Sequence, residues 1–202
     1  MFLGIETILT YVRSLLTRTV QKDDIVVDAT VGNGHDTVFL AKLVGEAGQV
    51  YGFDIQAQAI EQTTKRLAEN VEGSVQLFQT GHEHVASWLP TEHHGQLAAA
   101  IFNLGYLPRG NKTIVTKPET TISAIEQLLP LLKIGGILIL VVYHGHEGGA
   151  KERDALLEYV SALNQEAYNV LHYAFLNQRN HPPFVLAIEK RKNENGASPP
   201  PQ

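Results

Sequence analysis

Between residues 5 and 16 apolar side chains recur at Ile5, Ile8, Leu9, Val12, Leu15 and Leu16, the spacing of one helix face. After the polar pair Asp23-Asp24 the pattern changes. Ile25-Val26-Val27-Asp28 is a short β-branched run of the kind that fills a parallel strand buried on both faces. The two patterns then alternate down the chain. Helices are predicted over 36–43, 57–70, 118–132 and 147–164, with a short one ending at Leu89. Strands are predicted over 49–55, 75–78, 97–102 and 137–143. Gly135-Gly136 stops the helix that begins at Pro118, and 103–117 carries no regular pattern. Near the end, 168–175 and 184–189 read as two strands joined by the polar loop 177–183, a connection so short that they must pair antiparallel.

Strands alternating with helices predict an α/β fold: a mostly parallel seven-stranded sheet, helices on both faces, and an antiparallel hairpin at the C-terminal end. Such sheets bind ligands beyond the carboxyl ends of their strands, where strand order reverses. The candidate site therefore lies in the loops after Asp28, Asp54, Gln79, Phe102 and Tyr143. The folded unit is expected to span 1–192, followed by a polar, Pro-rich tail at 193–202 expected to be disordered.

Composition narrows the function. The 202 residues are 44% hydrophobic and 18% charged, the balance of a folded domain. The longest apolar run, 134–143, is strand-sized and contains two glycines, so no membrane span is expected. The N-terminus lacks the basic, apolar and small-residue succession of a signal peptide, and the cytoplasm is the expected compartment. With no cysteine, disulfides, thiolate metal sites and thiol catalysis are excluded. A net charge of −5 excludes a globally basic, nucleic-acid-binding surface; any basic footprint must be local.

The glycines of Gly32-Asn33-Gly34 follow the first strand where it turns into a helix, so the backbone can approach a ligand closely. A bare G-x-G also suits a dinucleotide. Two details favour S-adenosylmethionine. A carboxylate at Asp28 would repel a pyrophosphate but could accept hydrogen bonds from a methionine amino group, and Thr37 replaces the third glycine of the dinucleotide fingerprint. Asp54, about twenty residues after Gly34, is placed to hold both ribose hydroxyls. Thr30, Asn33, Asp36 and Gln56 flank these positions as further cofactor candidates. In Thr80-Gly81-His82-Glu83-His84, His82 or Glu83 could meet the adenine, although Thr80 fits equally well as a helix cap.

The reaction site is expected after the fourth strand. Asn103-Leu104-Gly105-Tyr106 resembles the N-P-P-Y loop of enzymes that methylate nitrogen, with Leu104 and Gly105 in place of the prolines. Methyl transfer is an in-line displacement that needs the nitrogen lone pair aimed at the methyl from about 3 to 3.5 Å. The Asn103 amide oxygen can accept an N–H and aim that lone pair, and Tyr106 can pack on a base. Tyr143-His144-Gly145-His146 ends the fifth strand and opens towards the same cleft, so Tyr143 and His144 join the catalytic candidates, His144 as a base. The paired histidines lack metal-ligand spacing, so no metal is expected.

Three strings together resemble the YtqB or MnmM family of small bacterial methyltransferases, long labelled ribosomal RNA methylases. They are D-A-T-x-G-N-G-H-D-T at 28–37, N-L-G-Y-L-P at 103–108 and Y-H-G-H-x-G-G at 143–149, with N-Q-x-N-x-P at 177–182 in support. The resemblance runs over about residues 10 to 191. It implies a Rossmann-like class I methyltransferase fold and S-adenosylmethionine as donor. It further implies methylation of the amine of 5-aminomethyl-(2-thio)uridine at the wobble position of transfer RNA. An anticodon stem-loop would be the partner, its unpaired bases splayed out at little energetic cost. Arg109, Lys112, Lys117, His146, Lys151, Arg153 and Arg179 are the candidates for a local basic rim. Another RNA such as ribosomal RNA, or a small-molecule amine, stays open as acceptor, and so does a homodimer. A dinucleotide-dependent oxidoreductase and a non-catalytic binding module are the readings from other classes.

Overall fold

The computed structural model describes residues 4–71, 73–107 and 115–193. The chain alternates as expected. Helix α1 (Ile8–Thr19) precedes β1 (Ile25–Asp28), α2 (His35–Val44), β2 (Gln49–Phe53), α3 (Ala57–Asn70) and β3 (Ser74–Phe78). A 3-10 turn leads into the short α4 (Val85–Trp88), then β4 (Leu97–Leu104), α5 (Pro118–Leu131), β5 (Leu132–Val142) and α6 (Gly149–Ser161). The hairpin β6 (Tyr168–Tyr173) and β7 (Phe184–Lys190) closes the described chain.

The seven strands lie in the order β3-β2-β1-β4-β5-β7-β6. All neighbours run parallel except β7, which pairs antiparallel with β5 and β6. Strand order therefore reverses between β1 and β4. Alternate side chains supply two cores, one per face. Val26, Ile101, Ile139 and Val141 pack under α1 and α2, while Val27, Ala100, Phe102 and Leu140 pack under the α4–α6 side.

Two of the boundaries that differ from expectation bear on the site and the sheet, and one of them moves a functional residue. β4 continues to Leu104, so Asn103 belongs to a strand paired with Val141 instead of a loop. β5 begins at Leu132, ahead of Gly135-Gly136. Those glycines sit within the strand where the β4–β5 register shifts: Gly135 adopts φ +78°, and a Cβ on Gly136 would lie 2.7 Å from the Leu97 carbonyl oxygen. From residue 194 on, the expected tail lies outside the described residues. Among the described residues no helix is long and apolar enough to cross a membrane.

Candidate functional site

A cavity of about 1070 Å³ opens over the carboxyl ends of β1, β2, β4 and β5. Its floor is the turn from β1 into α2. Gly32 and Gly34 adopt φ +52° and +77°, and a Cβ on Gly34 would sit 2.5 Å from the Thr63 hydroxyl of α3. That hydroxyl donates to the Gly32 carbonyl at 3.2 Å. Gly34 thus packs against α3 and does not face the cavity, whereas Thr30, Gly32 and Asn33 line it.

The acids divide the work. Asp54 lines the cavity; its Oδ2 accepts the Gly32 N–H and its Oδ1 the Gln56 N–H, each at 2.9 Å. Each carboxylate oxygen keeps a lone pair for a ligand hydroxyl. Burial raises its pKa, and the two backbone hydrogen bonds oppose the rise. Asp28 is fully buried, off the cavity wall. Its Oδ2 accepts the Thr37 hydroxyl at 2.6 Å and its Oδ1 the Thr30 N–H at 3.2 Å. Burial, reinforced by the Asp36 and Asp54 charges, pushes it up to about 7 against the two hydrogen bonds. Asp28, expected to meet the ligand, braces the turn from behind, because its short strand ends inside the protein.

Asp36, in the first turn of α2, does face the cavity. Its Oδ2 accepts the Asn103 side-chain N–H at 2.9 Å, while the Asn103 backbone N–H donates to the Thr30 hydroxyl at 2.6 Å. An ionised carboxylate only accepts, so the Asn103 nitrogen must face it, and Oδ1 is the amide atom left to accept from a ligand.

Gln56, His82, Glu83, Tyr106, Tyr143, His146 and Lys117 also line the cavity. His82 is nearly buried, edge-on to Phe102 at 5.4 Å, and its Nε2 is buried with no hydrogen-bond partner. Burial lowers its pKa and keeps the ring neutral. Burial raises the Tyr143 phenol, with the Asp36 charge adding. Tyr106 meets His146 edge-on at 5.8 Å.

His144, expected as a base, is not part of the cavity wall. Its ring packs near His181 and Phe184 at 5.7 and 5.5 Å, and desolvation is the first cause that lowers its pKa. The expected basic rim is also revised. Lys151 pairs with Glu119 at 3.5 Å and Arg153 with Asp154 at 2.8 Å, and neither lines the cavity. Arg179 is exposed away from the wall. Arg109 and Lys112 lie outside the described residues. Helix α1 instead brings Leu9, Val12 and Arg13 to the wall, joined by His35 and His181. Helical period identified α1 but could not say that one end of it covers a cavity. Among the described residues no three His, Asp or Glu side chains are grouped to hold a metal ion.

Residues 50–189 match the family model described as "Putative rRNA methylase". The chain is 38% identical over 185 residues to a chloroplastic tRNA (mnm(5)s(2)U34)-methyltransferase of Arabidopsis thaliana, a match covering 87% of this chain and 66% of the plant protein. It is 42% identical to a crystal structure of a "putative rRNA-methylase" from Clostridium thermocellum, with a TM-score of 0.89 over 93% of this chain and 100% of that one. A "putative methyltransferase" from Streptococcus mutans, solved in complex with SAH, is 41% identical with a TM-score of 0.83, over 92% of this chain and 99% of that one.

Proposed function

The chain belongs to the rRNA methylase family of the YtqB and MnmM type, and from that premise we propose that it methylates the amine of 5-aminomethyl-(2-thio)uridine at the wobble position of transfer RNA, with S-adenosylmethionine as donor. The product is 5-methylaminomethyl-(2-thio)uridine. The observation that carries this reading is the Asp36–Asn103 pair, which presents an oriented amide oxygen at the end of β4 inside the cavity.

The cavity fits the donor. Asp36 and Asp54 put negative charge on the cavity wall beside the glycine turn, which disfavours a diphosphate and favours a ligand bearing ammonium and sulfonium groups. Asp54 has lone pairs for ribose hydroxyls, Thr30, Gly32 and Asn33 bring backbone close, and the orphaned His82 Nε2 beside Glu83 offers an acceptor to an adenine amino group. The bound donor supplies an electrophilic methyl on positively charged sulfur.

The chain's own residues then handle the amine. Asn103 Oδ1 accepts one N–H and so points the nitrogen lone pair away from itself, into the cavity. Tyr106, 40% exposed at the mouth, offers a face to the unpaired base. An ammonium must shed a proton before it attacks, and His146 and His181 on the wall are within the same cavity to take it. Arg13 and Lys117 at the mouth supply positive charge for phosphates of an anticodon stem-loop. A cysteine-free chain suits the cytoplasm, where we place the reaction.

The test mixes the protein with labelled S-adenosylmethionine and transfer RNA carrying the 5-aminomethyl wobble base, then resolves the nucleosides by mass. Gain of one methyl on that nucleoside alone is the expected result. No gain with the donor still bound overturns the acceptor assignment and points to ribosomal RNA or a small amine.

A further inference from the structure

A buried carboxylate lies behind the acceptor wall. Glu152, in the first turn of α6, is 2% exposed and makes no ion pair among the described residues. Its Oε2 accepts the Thr116 hydroxyl at 2.7 Å and its Oε1 the Thr121 hydroxyl of α5 at 2.9 Å. A carboxylate this deeply buried is a poor way to join two helices, since an apolar contact of similar volume does so at least as well.

The direction of the hydrogen bonds shows what else it does. A carboxylate only accepts, so the Thr116 proton is committed to Glu152 and the Thr116 oxygen is left to accept. It accepts the Gly105 N–H at 2.9 Å, and the Thr116 N–H donates back to the Gly105 carbonyl at 3.0 Å. Gly105 adopts φ +145°, and a Cβ there would press on the Tyr143 Cβ at 3.3 Å. Two residues before it stands Asn103; after it come Tyr106 and Leu107, which also line the cavity. The conformation of this wall is thus held at Gly105, and Gly105 is held by Thr116.

We propose that Glu152 is a positioning residue for methyl transfer: acting through Thr116, it holds Gly105 and so sets the Asn103-to-Leu107 wall that receives the amine. This rests on the acceptor reading above. Glu152 itself touches no substrate.

Thr116 and Thr121 donate to the same carboxylate, but only Thr116 reaches the wall, which provides the test. Thr116→Val is expected to lower kcat/KM for the RNA at least about tenfold, the scale of one lost positioning contact, while donor affinity stays within about twofold. Thr121→Val is expected to lower thermal stability and keep kcat/KM within about threefold. Glu152→Gln, which retains one acceptor oxygen, should fall between wild type and Glu152→Leu. Hydrogen exchange at the Gly105 amide should quicken in Thr116→Val and Glu152→Leu but not in Thr121→Val. Equal losses of activity in the two threonine variants would mean a helix staple and overturn the proposal, as would unchanged turnover in Thr116→Val. If the wild type methylates no wobble uridine, the acceptor reading fails by itself, and unchanged Gly105 exchange in Thr116→Val would then overturn the relay.

Discussion

Replacing Asp28 by Asn removes a proton-binding site while keeping the shape of a side chain that no solvent reaches. In the native protein this carboxyl is pushed up from 3.8 to about 7, chiefly by burial. At 1.36 kcal/mol per pKa unit, the gap corresponds to about 4 kcal/mol. The sign follows from proton binding. Between these values the folded state holds a proton that the unfolded state has released, so stability falls as pH rises. The contribution is complete below about 3.8 and lost above about 7. Between about pH 5 and about pH 8 the loss amounts to about 2.6 kcal/mol. Asn titrates nothing, so its profile lacks this slope. Its amide can accept the Thr30 N–H and donate to the Thr37 hydroxyl, at a penalty of about 1 kcal/mol for weaker hydrogen bonds. The variant should therefore be more stable than wild type at about pH 8 and lose that advantage near about pH 5. Urea unfolding of both proteins across this range, without donor, measures the difference directly. A difference that does not change with pH would refute the reasoning, because it would mean Asp28 has the same pKa folded and unfolded.

The other predictions concern the turn, the acceptor and the sheet edge. Gly34→Ala meets both a left-handed backbone and the Thr63 hydroxyl at 2.5 Å, and should lower stability by about 2 kcal/mol or more; a melting temperature equal to wild type would show that α3 yields freely. Asp36→Asn removes a cavity charge and lets the Asn103 amide turn over, so donor affinity should weaken and kcat should fall about tenfold even at saturating donor; calorimetry and steady-state kinetics separate the two, and a full kcat at saturating donor would count against the acceptor role. Lys190 is buried and donates to the Pro130 and Leu132 carbonyls, each at 2.8 Å, where α5 meets β5. Lys190→Met should leave these carbonyls short of a donor, costing about 2 kcal/mol in denaturant unfolding, with turnover at low temperature unaffected.

The order and type of the elements were legible because hydrophobic period is a local property. Val26-Val27 and the recurring Ile8, Val12 and Leu16 declare strand and helix without reference to any distant residue. The glycine turn at 32–34 and the strand-end Asp54 were legible for the same reason, since each follows directly from a strand's end. Boundaries were weaker: Gly135-Gly136 reads as a stop in isolation, yet pairing with β4 carries the strand through it.

What a side chain faces was decided elsewhere. Asp28 and Asp36 look equivalent in the string 28–37, but packing buries the first against Thr37 and turns the second towards Asn103, 67 residues away along the chain. Lys151 looked like part of a basic rim until the packing of α6 on α5 brought Glu119 beside it, 32 residues away along the chain. Glu152 carried no mark at all: one acid among several on an amphipathic helix, buried only because Thr116 and Thr121 converge on it. The sequence by itself determined which segments are strands and helices, and where the ligand-binding end of the sheet would be. Only the tertiary structure decided which acids face the cavity and which brace it, because burial and hydrogen-bond direction depend on residues that meet only when distant segments pack together.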